Sequence, residues 1–316
     1  MTGLEGVGRW FWLAAAAVAL IALPWLMPND FYVNLASQIL VYAVWALSLN
    51  LLVGFAGMQS LGHAAYLGGG AYVCAWLIAN AGLGHAAAAL LTVLIIGAMA
   101  GLFGVLALRA SGLGFLMITL ALGQILWGVA YRWVDFTGGD NGIRLPSRPA
   151  PFGLALNQPA PFYYFALAVF AVVLLVMWRI AQSPYGAALR GTRDQPRRMS
   201  ALGYNVWLIR WSAFVLAGFW GGVAGLLYVY YNKFVSPQAL SLQQSAEVLI
   251  MTILGGVGSI IGPVVGAVII TLVKTVVSSY VDRWNTLLGV LFLVVIVFMP
   301  EGVVPGLRRL RRRFGP

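Results

Sequence analysis

The strongest constraint in this sequence is a succession of apolar runs, each about 17 to 24 residues long. That is the length a helix needs to cross ~30 Å of hydrocarbon at 1.5 Å per residue. After a first run over Trp10 to Met27, they fall at about 32–53, 63–80, 86–108, 112–131, 161–180, 209–231, 244–259, 262–280 and 285–300. Backbone in lipid must satisfy every N–H and C=O internally, so such runs fold as helices, and the ten-residue alternation of an outer-membrane barrel is absent. Charged residues make up 9% of the chain and mean hydropathy is +0.90, whereas a soluble domain is roughly a quarter charged. The expected fold is an all-α integral membrane protein of about ten transmembrane helices, forming a single domain over residues 1–316. Arg9 followed by the first run has the outline of a signal peptide, but the run is bulky, is broken by Pro24 and Pro28 and lacks a small-x-small cleavage site. It is read as a retained span.

Orientation follows from the basic residues of the loops. With the N-terminus inside, Arg9, Arg109, Arg179, Arg190, Arg193, Arg197, Arg198, Arg210, Arg308, Arg309, Arg311, Arg312 and Arg313 face the cytoplasm. Arg132, Arg144, Arg148, Lys233 and Arg283 face the other side, and Lys274 stays within a span. The opposite topology inverts that bias, so both termini are expected in the cytoplasm. The net charge of +11 is thereby explained as a topology signal rather than a nucleic-acid footprint. Cys74 is the only cysteine, which excludes an intrachain disulfide and a cysteine metal cluster.

Two loops exceed a few residues: an external one at about 132–160, rich in Gly and Pro, and a polar island from Ser183 to Arg210. The island carries five arginines against one acid, Asp194. Ser183 can cap a helix with Pro184 at its first position, and Tyr185, Ala188, Leu189 and Thr192 then form one stripe with Arg190, Arg193 and Arg197 on the other. Pro196 begins or kinks a second short helix, and Gly203 is placed to end it in the left-handed conformation. Topology alone accounts for most of the charge; the punctuation by Ser183, Pro184, Pro196 and Gly203 marks a cytoplasmic handle.

The chain's 38 glycines cluster at 54–70, 101–114, 218–225 and 255–266. Small residues let helices approach closely in lipid, as Gly218, Gly221, Gly222 and Gly225 would, and the remainder can mark broken helices. Asn50 to Gly70 allows two readings: a broken helix lining a path through the membrane, or a cytoplasmic hairpin whose glycines let two spans pack. Asn50, Gln59, His63, Thr119, Gln124 and Glu247 are the candidates for lining a path, because unsatisfied polar groups at membrane depth are costly. His63 and His85 alone make an incomplete metal site. The two lysines, Lys233 and Lys274, follow no phosphate-cradling glycine loop, and no nucleophile elbow, zinc-protease helix or carboxylate pair appears. The chain is therefore read as a transporter component, not an enzyme. Energy for active transport has to come from a partner, unless Glu247 and Lys274 serve a stand-alone channel or ion-coupled carrier.

Six stretches resemble one family in order and spacing: Leu49 to Tyr66, Thr137 to Ile143, Ser183 to Arg190, Ala201 to Val206, Phe234 to Ser241 and Leu254 to Pro263. The chain resembles the LivM-type permease subunits of ABC importers for branched-chain amino acids, over about Leu47 to Gly306. The resemblance implies uptake of branched-chain or related amino acids, with urea, amide or aromatic-acid import as the alternative within the family. It also implies a bacterial inner membrane location. The implied partners are a second permease subunit, two ATP-binding subunits that hold the ATP and Mg, and a periplasmic substrate-binding protein; no cofactor is expected on this chain. By the same resemblance the coupling loop, about 181–208, docks into the ATPase, with Ser183, Pro184, Tyr185, Gly186, Arg190, Arg193, Asp194, Arg197, Ala201, Gly203 and Tyr204 as coupling residues. It lacks the Glu-Ala-Ala and closing Leu-Pro of the general importer consensus. A basic tail, 307–316, completes the cytoplasmic side.

Overall fold

The computed structural model describes residues 18–27, 29–149, 156–278, 286, 289, 290, 293 and 302–306. Arg9, the run before residue 18, Arg283, most of the span expected at 285–300 and the basic tail lie outside the described residues.

The described chain is predominantly helical, as its apolar runs require. Residues 18–26 form α1, followed by α2 (Asp30–Asn50), α3 (Ala64–Ala79), α4 (His85–Ala107), α5 (Leu113–Arg132) and a short α6 (Val134–Thr137). Then come α7 (Pro159–Gln182), α8 (Pro184–Asp194), α9 (Pro196–Ala201), α10 (Val206–Asn232), α11 (Leu242–Gly255) and α12 (Ile261–Ser278). Among the described residues, five stretches are long and apolar enough to cross a membrane: Asp30–Phe55, His85–Ala107, Leu113–Arg132, Pro159–Gln182 and Val206–Asn232. Ala64–Ala79 and Ile261–Thr275 are apolar but shorter.

Successive connections alternate between two ends of the bundle. At one end the turn after α2, the α4–α5 turn, Arg193 of α8 and the start of α10 come together around a common groove. At the other, the α5–α7 connection meets the α10–α11 connection through two short strands, β1 (Ile143–Arg144) and β2 (Phe234–Val235), paired antiparallel with Ile143 opposite Val235. This ribbon is a small departure from the all-α expectation. Arg148 fastens it, donating to Tyr231 O at 2.7 Å and Leu156 O at 2.9 Å while its guanidinium lies 4.9 Å from the Phe162 ring centre. Different donors of a planar guanidinium can reach different carbonyls, so one arginine ties its loop to the end of α10 and to the stretch before α7.

The core is centred on α2, which is 89% buried over its membrane-length window and packs against α7, α10, α11 and α12. The windows of α4 and α5 are only 22% buried, leaving them peripheral. Close packing of α10 on α3 and α4 depends on its small residues: Gly221 lies against Tyr66 and Gly222 against Ile96. The run expected at 244–259 stops at Gly255. Gly256 and Gly258 take φ of 119° and 77°, where a side chain would be strained, so the chain breaks before α12.

Candidate functional site

The polar island folds as its punctuation dictates. Ser183 is extended, its Oγ accepts from Gly186 N at 3.2 Å, and Pro184 opens α8. Gly186, Ala188, Leu189 and Thr192 are buried, and the half-buried Tyr185 shares a 2.7 Å hydrogen bond with Ser212 of α10. Burial raises the Tyr185 hydroxyl above the ordinary tyrosine value. Pro196 forces Gln195 out of the helical region and opens α9. Gly203, at φ 87°, closes α9, with Tyr204 N reaching back to Met199 O at 3.1 Å. Asn205 caps α10 through Leu208 N at 3.0 Å.

The arginines divide differently from the two-stripe expectation. Arg190 turns back, donating to Ala181 O at 2.9 Å, with its guanidinium 5.9 Å from the Phe55 ring centre. The reason is that the last carbonyls of α7 have no intrahelical partner and a guanidinium on the next helix can reach them. Arg210 does the same for α8, donating to Thr192 O at 2.9 Å. Arg193 splits its fork: Nη1 donates to Gly54 O at 2.6 Å, while Nε and Nη2 hold the Asp194 carboxylate at 2.7 and 3.3 Å. Those hydrogen bonds hold Asp194 below its ordinary value. Arg197, Ala201, Gly203 and Tyr204 are left on the exposed surface.

The other component is the break between α2 and α3. Leu51–Phe55 is a π-helical turn, with Ala56 N bonded to Leu51 O, and Met58 N then reaches back to Leu52 O at 2.9 Å. Asn50 faces sideways from this turn: Oδ1 accepts from Gly258 N at 3.0 Å and Nδ2 donates to Ser259 O at 2.9 Å. Thus the two interrupted stretches, one before α3 and one before α12, are in contact.

The remaining polar candidates separate by burial. His63 is fully buried, 2.8 Å from Ser48 Oγ and edge-on to Tyr66. Thr119 accepts from Leu61 N at 3.3 Å and donates to Leu116 O, tying the break to α5. Glu247, 1% exposed, takes Lys274 Nζ on both carboxylate oxygens at 2.9 and 3.0 Å. Gln124 is half-buried. Gln59 instead reaches a groove of about 870 Å³, which Arg109, Ser111, Arg193, Trp207 and Arg210 also line. Asn50, His63, Thr119 and Glu247 therefore join helices to one another, and Gln59 opens onto free space. Among the described residues, no three His, Cys, Asp or Glu side chains gather to hold a metal ion.

Sequence reasoning missed the Asn50 clasp and the inward turn of Arg190, Arg193 and Arg210. A signal for the clasp was present: Val53-Gly54-Phe55-Ala56-Gly57 and Leu254-Gly255-Gly256-Val257-Gly258 share one aliphatic-Gly-x-x-Gly pattern, and these breaks are the two that meet.

Comparison with known proteins gives this architecture its context. The family described as branched-chain amino acid transport system / permease component matches residues 31–300. The high-affinity branched-chain amino acid transport system permease protein LivM of Salmonella typhimurium is 28% identical over 313 residues, covering 92% of this chain and 74% of that protein. A probable branched-chain amino acid transport permease protein LivM of Methanocaldococcus jannaschii is 24% identical, covering 86% of this chain and 94% of the relative. The permease protein LivH of Escherichia coli is 23% identical over 83% of this chain and 91% of its own length. No solved structure matches the chain. With the family matched across most of its length, this multi-pass membrane protein belongs to the permease components of the branched-chain amino acid transport systems.

Proposed function

We propose that this chain is the membrane subunit of an ABC importer for branched-chain or related amino acids, moved by ATPases that dock on the segment about 181–208. The carrying observation is the construction of that segment: two capped short helices fastened to α7, α10 and the α2–α3 break, with Arg197, Ala201 and Tyr204 exposed beyond them. ATP binding closes the ATPase dimer, the segment moves with it, and the membrane helices open outward to receive cargo from a periplasmic binding protein. ATP and Mg belong to the partner subunits.

The same reading takes the chain as about ten spans in a bacterial inner membrane, with both termini in the cytoplasm. Supporting the position of the C-terminal side, Gly302 packs on Gly256, at the end of the bundle that carries the coupling segment. A second permease subunit supplies the facing wall of the pathway. The pairing of Glu247 with Lys274 removes the net charge on which an ion-coupled carrier would depend.

Reconstitution tests the reading. Proteoliposomes containing this chain, a companion permease and two ATPases should take up labelled leucine only with ATP inside and binding protein outside. Gradient-driven uptake by this chain alone would refute it.

A further inference from the structure

Three segments of different origin meet at Gly54. Arg193 of α8 donates to its carbonyl at 2.6 Å. Asn50, one turn earlier, grips the α11–α12 break by both ends of its carboxamide, at Gly258 N and Ser259 O. The backbones themselves are in contact, since a Cβ at Gly54 would lie 2.5 Å from Gly258 N. The turns beside this junction are built on glycine: Gly57, Gly256 and Gly258 have φ of 69°, 119° and 77°, where a side chain would be strained.

The other hydrogen bonds of α8 have a different destination, although the Arg190 guanidinium also lies 5.9 Å from the Phe55 ring centre beside Gly54. Arg190, Tyr185 and the Arg210 bond to Thr192 O tie it to α7 and α10, which run unbroken for 24 and 27 residues. The Arg193 bond is the described α8 side-chain bond that reaches the start of the short helices. A charged donor on a carbonyl is among the stronger hydrogen bonds, and a carboxamide bonded at both ends fixes direction as well as distance.

We infer that Arg193 and Asn50 are positioning residues that act in series, carrying displacement of the coupling segment first to the α2–α3 break and then to the α11–α12 break. This rests on the importer reading above. Motion imposed on α8 pulls on Gly54, and because Asn50 locks the two breaks together, α3 and α12 are redirected as a pair. Neither residue is asked to touch cargo or nucleotide.

The test uses the complete importer in proteoliposomes. Asn50→Leu removes both clasp bonds at similar volume; Arg193→Met removes the guanidinium and keeps the stem that packs on Gly57. For Asn50→Leu, assembled complex and ATP hydrolysis are expected to stay within about two-fold of the native importer while uptake per ATP falls about ten-fold, a typical size for a coupling between sites. Two links of one series are not additive, so the Asn50→Leu/Arg193→Met importer should couple no worse than the poorer single variant. Arg193→Lys, which can still present a cation to Gly54 O, should recover part of the loss. A structural role alone would lower hydrolysis, assembly and uptake together, and that result, or unchanged uptake per ATP, overturns the inference. Spin labels at Leu61 and Val257 read the breaks whatever the cargo: ATP should change their separation in the native importer and not with Asn50→Leu. Native labels that move without leucine uptake would count against the amino-acid reading; labels that still move with Asn50→Leu would count against the linkage.

Discussion

The Glu247–Lys274 pair offers the sharpest test of what the intramembrane charges do. The carboxylate is 1% exposed and both its oxygens are occupied by one ammonium, itself 22% exposed and 5.9 Å from the Tyr42 ring centre. Lys274→Met leaves that carboxylate buried without its cation, a change that destabilises by about 3–5 kcal/mol. Glu247→Gln leaves the less enclosed of the two charges, on a flexible stem that can carry the ammonium toward an interface, so its penalty should be smaller. Replacing both, Glu247→Gln with Lys274→Met, removes the desolvated charges together and should return stability to within ~1 kcal/mol of the native protein. The cycle thus predicts a coupling energy of at least ~2 kcal/mol between the two positions. Stability can be followed by denaturant titration of the detergent-solubilised importer, with ATP-driven uptake measured alongside. A brace between α11 and α12 requires that the double variant both folds and transports. If it folds and transports nothing, the charges serve the path itself and the brace interpretation fails. If Lys274→Met alone is nearly neutral, the burial argument fails first.

Other outcomes follow from local geometry. Ser183→Ala, which removes the cap on α8, should lower stability by ~1 kcal/mol, readable as a drop in thermal midpoint. Ala at Gly203, where nothing lies within 4 Å, should carry only the left-handed penalty of about 1–2 kcal/mol, whereas Ala at Gly57 adds a clash with the Arg193 side chain and should cost more in the same melt. Because Arg193 holds Asp194 below its unfolded value of about 3.9, the stabilisation is present above that pH and is lost only as pH falls through the lower folded value. Protection of the α8 amides, taken relative to their intrinsic exchange rates, should therefore be flat from pH 7 to about 5 and fall only in acid; a loss of protection already near neutrality would contradict the assignment. Gln59→Ala should alter uptake with little effect on stability, and His63→Ala should reduce stability first, because one lines the groove and the other is enclosed beside Ser48.

Much of this architecture was legible because lipid imposes it. The runs at 86–108 and 161–180 became α4 and α7 within two residues at each end, since hydrocarbon thickness sets helix length and the caps are local. In the island, Ser183, Pro184, Pro196 and Gly203 all act through their own backbone conformation, so sequence suffices to place them. What failed to show was anything set by distant neighbours. Arg190, Arg193 and Arg210 look alike in sequence as solvated charges, yet each donates to a backbone carbonyl, and for Arg193 that carbonyl lies 139 positions away in the chain. Asn50 offered equal support to a path residue and a helix tie; its partner is 208 positions on and is a backbone amide, which has no side-chain signature.

That distinction bears on where cargo can travel. α2 stands at the centre of the fold, and three of its buried polar side chains are engaged: Ser37 with Val33 O, Ser48 with Trp45 O and His63, and Asn50 with the α11–α12 break. A passage that parted α2 from its neighbours there would have to break the Ser48–His63 and Asn50 bonds in a low-dielectric interior, where each orphaned polar group costs about 1–3 kcal/mol. α4 and α5, by contrast, present Leu102, Leu113, Met117 and Ile125 at 60% exposure or more. Opening a path there separates surfaces that are already free of internal bonds. The bonded polar groups inside this chain accordingly stiffen its joints, and a path is cheapest to open along the peripheral faces of α4 and α5.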